Sequence, residues 1–173
     1  LRALRVLREV GLIAAEDTRV THKLLQRYDI HTPLTSYHEH NKLTKLPKLL
    51  STLAQKDVAL VSDAGMPGIN DPGYDLVRAA ADAGVPVVPI PGPSAVTSAI
   101  AASGLPVDQF VYLGFLPRRQ PERRRLLQSL TPEQRALVAF ETPHRLRAAL
   151  EDVLAVLGDR RIAVGRELTK LHE

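Results

Sequence analysis

This sequence predicts an α/β protein with mostly parallel strands, and three observations carry the prediction. Short apolar runs alternate with segments of helical periodicity along the chain, which is typical of βαβ units. The run Val58–Ser62 (VALVS) has the apolar character of a parallel strand covered on both faces. Glycines and capping residues fall at the boundaries between these segments, where helices begin and end.

The first half of the chain contains four predicted helices and four predicted strands. Leu4, Leu7 and Val10 recur at helical spacing and predict an opening helix that ends near Gly11. The next elements are a strand at Leu12–Ala15, a helix capped by Asp17 or Thr18 and a brief strand at Leu34–Tyr37. A helix with Leu46, Leu49, Leu50 and Leu53 follows, and then the strand Val58–Ser62. Pro47 is tolerable in this helix only near its first turn. Asp71 and Pro72 then predict the N-cap and first residue of a helix that closes at Gly84. Val85–Ile90 (VPVVPI) predicts a strand whose prolines place it at an edge or end it early.

The second half continues the alternation. Ser94 predicts the N-cap of a small-residue helix stopped by Gly104. The elements after it are a strand at Phe110–Phe115, a helix at ERRRLLQSL, a strand at Ala136–Phe140, a helix from Pro143 to Leu157 and a final strand at Arg161–Val164. The proline-rich stretch Pro89–Pro93 is the best candidate hinge, so we expect two α/β domains, residues 1–93 and 94–173.

Composition excludes several classes of protein. The 173 residues include no cysteine, which rules out disulfide scaffolds, thiolate metal sites and a cysteine nucleophile. No uncharged apolar run is long enough for a transmembrane helix, and the charged opening segment is not the core of a signal peptide. We therefore expect a soluble cytoplasmic protein with no membrane partner. The chain starts inside a helix and stops just after a strand-like run, so we expect segments to be missing at both ends.

Two clusters of residues indicate function. The loop Asp63–Gly73 (DAGMPGINDPG) follows a predicted parallel strand, where α/β proteins bind ligands, and its glycines allow a ligand close to the backbone. Asp71 and Ser94 suit both helix capping and ligand binding, because both follow predicted strands. Five arginines between residues 118 and 125 predict either a solvated helix face or a surface for phosphate groups; they are Arg118, Arg119, Arg123, Arg124 and Arg125.

Several longer motifs together resemble a known family. They are EDTR (16–19), SYHEHN (36–41), LVSDAGMPGINDPGYDLV (60–77), VPIPGPSAV (88–96), SGLPVDQFVYLGFLPR (103–118), ETPHRL (141–146) and RELTKLHE (166–173). The combination resembles the branch of the tetrapyrrole methylase superfamily that methylates small-subunit ribosomal RNA, a group of class III S-adenosylmethionine-dependent methyltransferases. The resemblance runs from end to end, although family members begin with a further strand and a TPIGNL-type loop.

The resemblance implies a fold, a reaction and a set of binding residues. It implies two α/β domains with S-adenosylmethionine in the cleft between them, usually in a homodimer. The reaction is 2′-O-methylation of a cytidine ribose in 16S rRNA of the small ribosomal subunit. The implied donor contacts are Asp63, Ala64, Gly65, Ile69, Asp71, Ser94 and Ala95 and, by a looser transfer, Leu113, Phe140 and the segment Ala163–Leu168 with Ala163, Val164, Arg166, Glu167 and Leu168.

A ribose oxygen that attacks a methyl group must lose a proton, so the reaction needs a base. The candidates are His38, His40, Glu141 and Lys170, each of which also suits a solvated surface position. His38 and His40 are two residues apart, so an extended segment would point both the same way. They lack a convincing third partner for a metal, and we expect none. Two alternatives stay open, a tetrapyrrole (precorrin-type) methyltransferase and a catalytically silent RNA-binding fragment.

Overall fold

The computed structural model describes residues 2–168 and Leu171. The chain divides into two compact units, Leu1–Pro93 and Ser94–Glu173. Both are built from parallel strands with helical connections, so the predicted α/β class with parallel sheets is confirmed. None of the helices in the described part of the chain is long and apolar enough to cross a membrane.

The first unit is a three-stranded parallel sheet with four helices. Its elements, in chain order, are α1 (Arg2–Glu9), β1 (Leu12–Ala15), α2 (Thr18–Arg27), β2 (Leu34–Ser36), α3 (Lys42–Leu53), β3 (Val58–Val61) and α4 (Tyr74–Asp82). The strand order is β2-β1-β3, and Ala15 pairs with Ser36 on one side and with Val61 on the other. All three strands therefore end at the same edge of the sheet.

The core of this unit lies on both faces of β1. Because successive side chains of a strand point to opposite faces, Ile13 and Ala14 enter different clusters. Ile13 packs with Leu7, Leu25 and Ile30, and Ala14 packs with Tyr37, Leu49 and Leu76. Helices thus cover both faces of the central strand, as the apolar sequence of the strands predicts.

The described residues of the second unit form a two-stranded parallel sheet and three helices. Its elements are α5 (Ala95–Ala102), β4 (Phe110–Phe115), α6 (Gln120–Ser129), β5 (Ala136–Phe140) and α7 (Pro143–Leu157). The register shifts between Tyr112 and Phe115, where β4 has one residue more than β5. Gly114, with a φ of 67°, supplies the left-handed conformation that this bulge uses.

Two predicted strands are absent from the described structure. Residues 85–90 and 161–164 have no regular secondary structure. Three of the residues at 85–91 are prolines without an amide N–H, so this segment cannot complete a hydrogen-bond ladder. Arg161–Val164 has the composition of a strand, but strand formation depends on a partner, and no described residue pairs with it.

Two helix boundaries also differ from the prediction. Helix α4 begins at Tyr74 with Gly73 at the N-cap, so Asp71 is not its cap and Pro72 is not its first residue. Pro47 lies in the second turn of α3 rather than the first. A proline there removes one backbone hydrogen bond, and the exposed position of both Pro47 and Leu43 leaves the freed carbonyl near water.

Candidate functional site

The carboxyl edge of the first unit's sheet gathers polar residues from three strands. The Tyr37 amide donates to the Ala15 carbonyl at 2.7 Å, and the Glu16 amide donates to the Val61 carbonyl at 3.0 Å. These bonds extend the parallel ladder by one residue beyond β1 and β2. Glu16, the segment after Tyr37 and the loop after Val61 therefore leave the sheet side by side, where ligands bind in open α/β sheets.

A cavity of about 510 Å³ opens at this edge. It is lined by Glu16, His38, Glu39, His40, Asn70, Asp71 and Pro72. One wall is the segment from His38 to His40, and a second wall is the segment from Asn70 to Pro72. The structure thus brings His38, His40 and Asp71, three of the residues predicted from the sequence, to a single cavity.

His38 is held in a fixed orientation by Asn41. The His38 backbone amide donates to Asn41 Oδ1 at 2.8 Å. This hydrogen bond identifies the oxygen end of the Asn41 side-chain amide, so the nitrogen end faces the other partners. Asn41 Nδ2 therefore donates to Ser36 Oγ at 3.0 Å and to His38 Nε2 at 3.1 Å. Because Nε2 accepts, the neutral His38 ring carries its proton on Nδ1, which is a buried atom. His40 lies 6.1 Å from the His38 ring centre and is exposed.

Two of the carboxylates at this edge, those of Glu16 and Asp71, line the cavity, and Asp63 lies next to them in the chain's fold. The Asp63 amide donates to Glu16 Oε2 at 3.2 Å, so the loop after β3 is tied to the end of β1. Burial raises the pKa of Asp71 above its ordinary value, and the nearby carboxylates of Glu16 and Asp63 add to the effect, while a hydrogen bond with Ser62 opposes it. An ionised Asp71 is thus short of a positive neighbour, and a cationic ligand would supply one.

The loop from Asp63 to Gly73 needs glycine for its path. Gly65 and Gly68 have φ values of 69° and 83°, and Asn70 has the same left-handed conformation with a φ of 61°. A Cβ at Gly73 would lie 2.9 Å from the Gly68 nitrogen, so this position admits no side chain. A Cβ at Gly65 would meet no atom within 4 Å, so the space above this residue is open to a ligand.

Four of the predicted donor contacts of the second unit lie at three of its elements, α5, β4 and β5. Ser94 caps α5 and accepts the Thr97 amide, and Ala95 is the first residue of that helix. Leu113 lies at the bulge of β4, and Phe140 ends β5 with its ring packed against Tyr112 and Phe115. Bulges are frequent beside functional sites because they redirect the side chains next to them.

The remaining predicted residues of this unit differ in their environments. Glu141 is 6% exposed, and its Oε1 lies 2.6 Å from Arg145 Nη2 and 2.7 Å from the Thr142 amide, whereas its Oε2 is buried without a hydrogen-bond partner among the described residues. The segment from Ala163 to Glu167 is exposed and has no regular secondary structure, and Leu168 follows it half-buried. Lys170, a candidate base, lies outside the described residues.

The arginine cluster divides into a buried part and an exposed part. Arg123 is 4% exposed, its Nε lies 2.8 Å from Asp152 Oδ2, and its Nη1 donates to the carbonyls of Pro117 and Arg118. The prediction that Arg123 contacts RNA is therefore wrong, because its guanidinium group has no free surface. Arg124 is 47% exposed and is held 2.6 Å from Asp152. Arg118, Arg119 and Arg125 are exposed.

Asp152 is fully buried at the contact between α6 and α7. Burial alone would raise its pKa, but hydrogen bonds from Arg124, Arg123 and Gln120 outweigh burial and hold the pKa below its ordinary value. Asp152 therefore stays ionised at neutral pH. Part of the arginine cluster thus stabilises the second unit.

Glu16, Asn41 and Lys42 are among the residues at the site that sequence reasoning missed. Glu16 could have been found, because it directly follows a predicted strand, as Asp63 does. Asn41 and Lys42 gave no such signal, because their contacts with Ser36 and Asp75 depend on the fold. In the described part of the chain no group of three or more His, Asp or Glu side chains is arranged to hold a metal ion.

The fold agrees with a comparison to known families. Residues 1–173 match the family described as Tetrapyrrole (Corrin/Porphyrin) Methylases. The chain belongs to this family. The match covers both compact units.

The comparison with individual proteins is more specific. The chain is 52% identical over 174 residues to a protein of Thermotoga maritima, 51% identical over 173 residues to one of Halalkalibacterium halodurans, and 51% identical over 174 residues to one of Escherichia coli O157:H7. Each of these relatives is named ribosomal RNA small subunit methyltransferase I. The alignments cover 99–100% of this chain, and 78%, 60% and 61% of the respective relatives. The chain thus spans about three fifths of the length of two of them.

Proposed function

We propose that this protein takes part in S-adenosylmethionine-dependent 2′-O-methylation of a cytidine ribose in 16S rRNA of the small ribosomal subunit. The observation that carries the proposal is the cavity at the carboxyl edge of β1, β2 and β3, where the loop from Asp63 and the segment from His38 meet. The names of the relatives support ribosomal RNA as the substrate. The cytoplasm is the proposed location, since the proposed substrate is the small ribosomal subunit, and a homodimer is the proposed assembly.

The residues of the cavity suit a cationic methyl donor. When bound, S-adenosylmethionine supplies an electrophilic methyl group on a positively charged sulfur. Glu16 and Asp71 place carboxylates around the cavity, and the pKa of Asp71 is raised by burial and by neighbouring carboxylates, which a nearby positive charge would relieve. Asp63, Ala64, Gly65 and Ile69 would contact the donor through the loop, where the open space at Gly65 allows close approach. Ser94, Ala95, Leu113, Phe140 and the segment Ala163–Leu168 remain proposed contacts.

His40 is the base that we favour among the candidates. It is exposed and lines the cavity, whereas Nε2 of His38 accepts a hydrogen bond from Asn41 and its Nδ1 is buried. Glu141 is engaged by Arg145 and by the Thr142 amide. The role of His40 would be to accept the proton of the ribose 2′-hydroxyl as the oxygen attacks the methyl carbon. His38 and Asn41 would orient the segment that carries it.

The exposed arginines of the second unit are the proposed RNA contacts. Arg118, Arg119 and Arg125 offer guanidinium groups to phosphates, and Arg124 is available in part. Glu122 lies 3.6 Å from Arg119, which leaves an excess of positive charge on this surface. A small macrocycle would need no such surface, and this favours RNA over a tetrapyrrole as the substrate.

A methyl-transfer assay tests the proposal. The chain is incubated with radiolabelled S-adenosylmethionine and either 30S subunits or a precorrin. The His40→Asn variant is compared with His22→Asn, a matched change at an exposed histidine that does not line the cavity. We expect the labelled methyl group in 16S rRNA, at a single ribose whose phosphodiester bond then resists alkaline cleavage. The rate of transfer should fall at least tenfold in His40→Asn and stay unchanged in His22→Asn. Transfer to the precorrin alone would contradict the proposal. Donor binding without any transfer would favour the silent RNA-binding module.

A further inference from the structure

Lys42, the first residue of α3, forms two ion pairs at once. Its Nζ lies 2.8 Å from Asp75 Oδ2 and 2.9 Å from Glu39 Oε1. The Lys42 side chain is 25% exposed, so these contacts are partly shielded from water. Hydrogen bonds to Asp75 and to Glu39 raise the pKa of Lys42, and the ammonium group is charged at any physiological pH.

Of the two carboxylates, Glu39 belongs to one wall of the cavity and Asp75 to the helix that follows the other wall. Glu39 lies between His38 and His40 and itself lines the cavity. Asp75 lies in the first turn of α4, three residues after Pro72, which ends the other wall. Lys42 thus connects the end of one wall to the beginning of the helix that anchors the other.

The rest of the contact between α3 and α4 lies deeper in the unit. Leu49 and Leu76 pack in the same buried cluster, together with half-buried Leu46 and Leu53. Leu49 is seven residues beyond Lys42, which corresponds to roughly 10 Å along a helix. The leucines hold the helices together, while the ion pairs of Lys42 act at the end nearest the cavity.

We propose that Lys42 is a positioning residue that sets the separation of the two cavity walls and so the affinity for the methyl donor. Without its ammonium group, Glu39 and Asp75 lose their shared cation, and the two walls lose their only described ionic link. The carboxylates then repel each other, and the walls separate. The effect on donor affinity rests on the proposed function. The effect on the position of the walls rests on the geometry alone.

Three variants test the inference. Lys42→Met removes the charge and keeps the length of the side chain, Lys42→Arg restores a cation, and Lys48→Met removes an exposed lysine from the same helix as a matched control. By calorimetry we expect Lys42→Met to bind S-adenosylmethionine at least tenfold more weakly than wild type. Lys42→Arg should recover most of that affinity, and Lys48→Met should bind as wild type does. In urea, Lys42→Met should unfold at a lower concentration than Lys48→Met, because it loses two partly shielded ion pairs, while the intact leucine cluster keeps it folded.

A second measurement does not depend on ligand binding. In ¹H–¹⁵N spectra of the protein without ligand, amides of residues 38–40 and of Asn70 and Asp71 should shift in Lys42→Met and stay in place in Lys48→Met. Unchanged amides would overturn the inference, as would equal donor affinity in the two methionine variants. If wild type binds no donor while the amides shift, the proposed function fails and the role of Lys42 in the cavity walls stands.

Discussion

Gly65 and Gly84 share a backbone conformation in different places. Their φ values are 69° and 71°, and a Cβ at either would meet no atom within 4 Å. Gly65 belongs to the loop between β3 and α4 that carries the proposed donor contacts, whereas Gly84 closes α4 at its far end. An alanine at either position would strain the backbone, but only an alanine at Gly65 would also block the proposed binding surface.

Gly65→Ala should reduce donor affinity, and Gly84→Ala should not. Both changes force alanine into the left-handed region, which costs roughly 1–2 kcal/mol, so both should lower stability to a similar extent. Only the new methyl group at Gly65 enters the space proposed for the ligand, and we expect about tenfold weaker binding there. Calorimetry with S-adenosylmethionine and urea unfolding of both variants measure the two effects. Equal donor affinity in the two variants would remove Gly65 from the site.

At the scale of single residues, a sequence pattern points to loop residues more readily than to the interaction partners of a side chain. Asp63, Gly65 and Asp71 stood out because a glycine-rich, acidic loop follows an apolar strand. The interactions of Lys42 and Arg123 could not be predicted, because each depends on a carboxylate about 30 residues away in the chain, Asp75 or Asp152. A basic side chain looks the same in a sequence whether it faces solvent or a buried carboxylate.

A buried ion pair joins helices α6 and α7, and an exposed ion pair lies beside it on α7. Asp152 on α7 is buried with Arg123, while the adjacent Glu151 pairs with Arg147 in solvent. Breaking a buried pair leaves an unpaired charge in the interior, whereas breaking an exposed pair leaves two solvated groups.

Asp152→Ala should lower the free energy of unfolding by about 3–5 kcal/mol, and Glu151→Ala by about 1 kcal/mol or less. Because the folded pKa of Asp152 is depressed, its contribution is present above the unfolded pKa of about 3.9 and is lost as pH falls through the lower folded value. Urea unfolding of wild type and both variants at neutral and acidic pH measures this. A difference between the variants that did not shrink in acid would contradict the assignment.

The surface before and along α6 carries the next prediction. Changing Arg118, Arg119 and Arg125 together to Ala should weaken RNA binding, because phosphate contacts are lost. Each lost contact should also make the negative slope of log affinity against log salt shallower by about 0.7–0.9. Arg123 is left intact, because its loss would destabilise the second unit. Arg147→Ala is the control, an exposed arginine outside the cluster.

Filter binding to a 16S rRNA fragment across a salt series measures the slope, and calorimetry checks that donor affinity is unchanged. Equal RNA affinity at low salt in the triple variant and in Arg147→Ala would exclude this surface from RNA binding.

At the level of elements, the periodic segments were predicted well and the isolated strands were not. Helices with a clear apolar stripe or a cap, such as α2 and α5, begin where Asp17 and Ser94 predict. Val85–Ile90 and Arg161–Val164 have strand-like composition without strand structure, because a strand needs a neighbour that composition does not reveal.

For the whole molecule, the sequence predicted the class of fold and the edge of the sheet that carries the cavity. Parallel strands place their carboxyl ends together, which brings Glu16 and His38 to one edge, and the loop after β3 then returns Asp71 to the same cavity. The division into a buried and an exposed part of the arginine cluster, and the bridge made by Lys42, appear only once the helices are packed.

A crystal structure with S-adenosylmethionine bound tests the central claim most directly. The account predicts the sulfur and its methyl group at the carboxyl edge of β1 and β3, in contact with the loop at Asp63–Gly65 and open towards His40. Donor bound elsewhere on the molecule, with this cavity left to solvent, would contradict it.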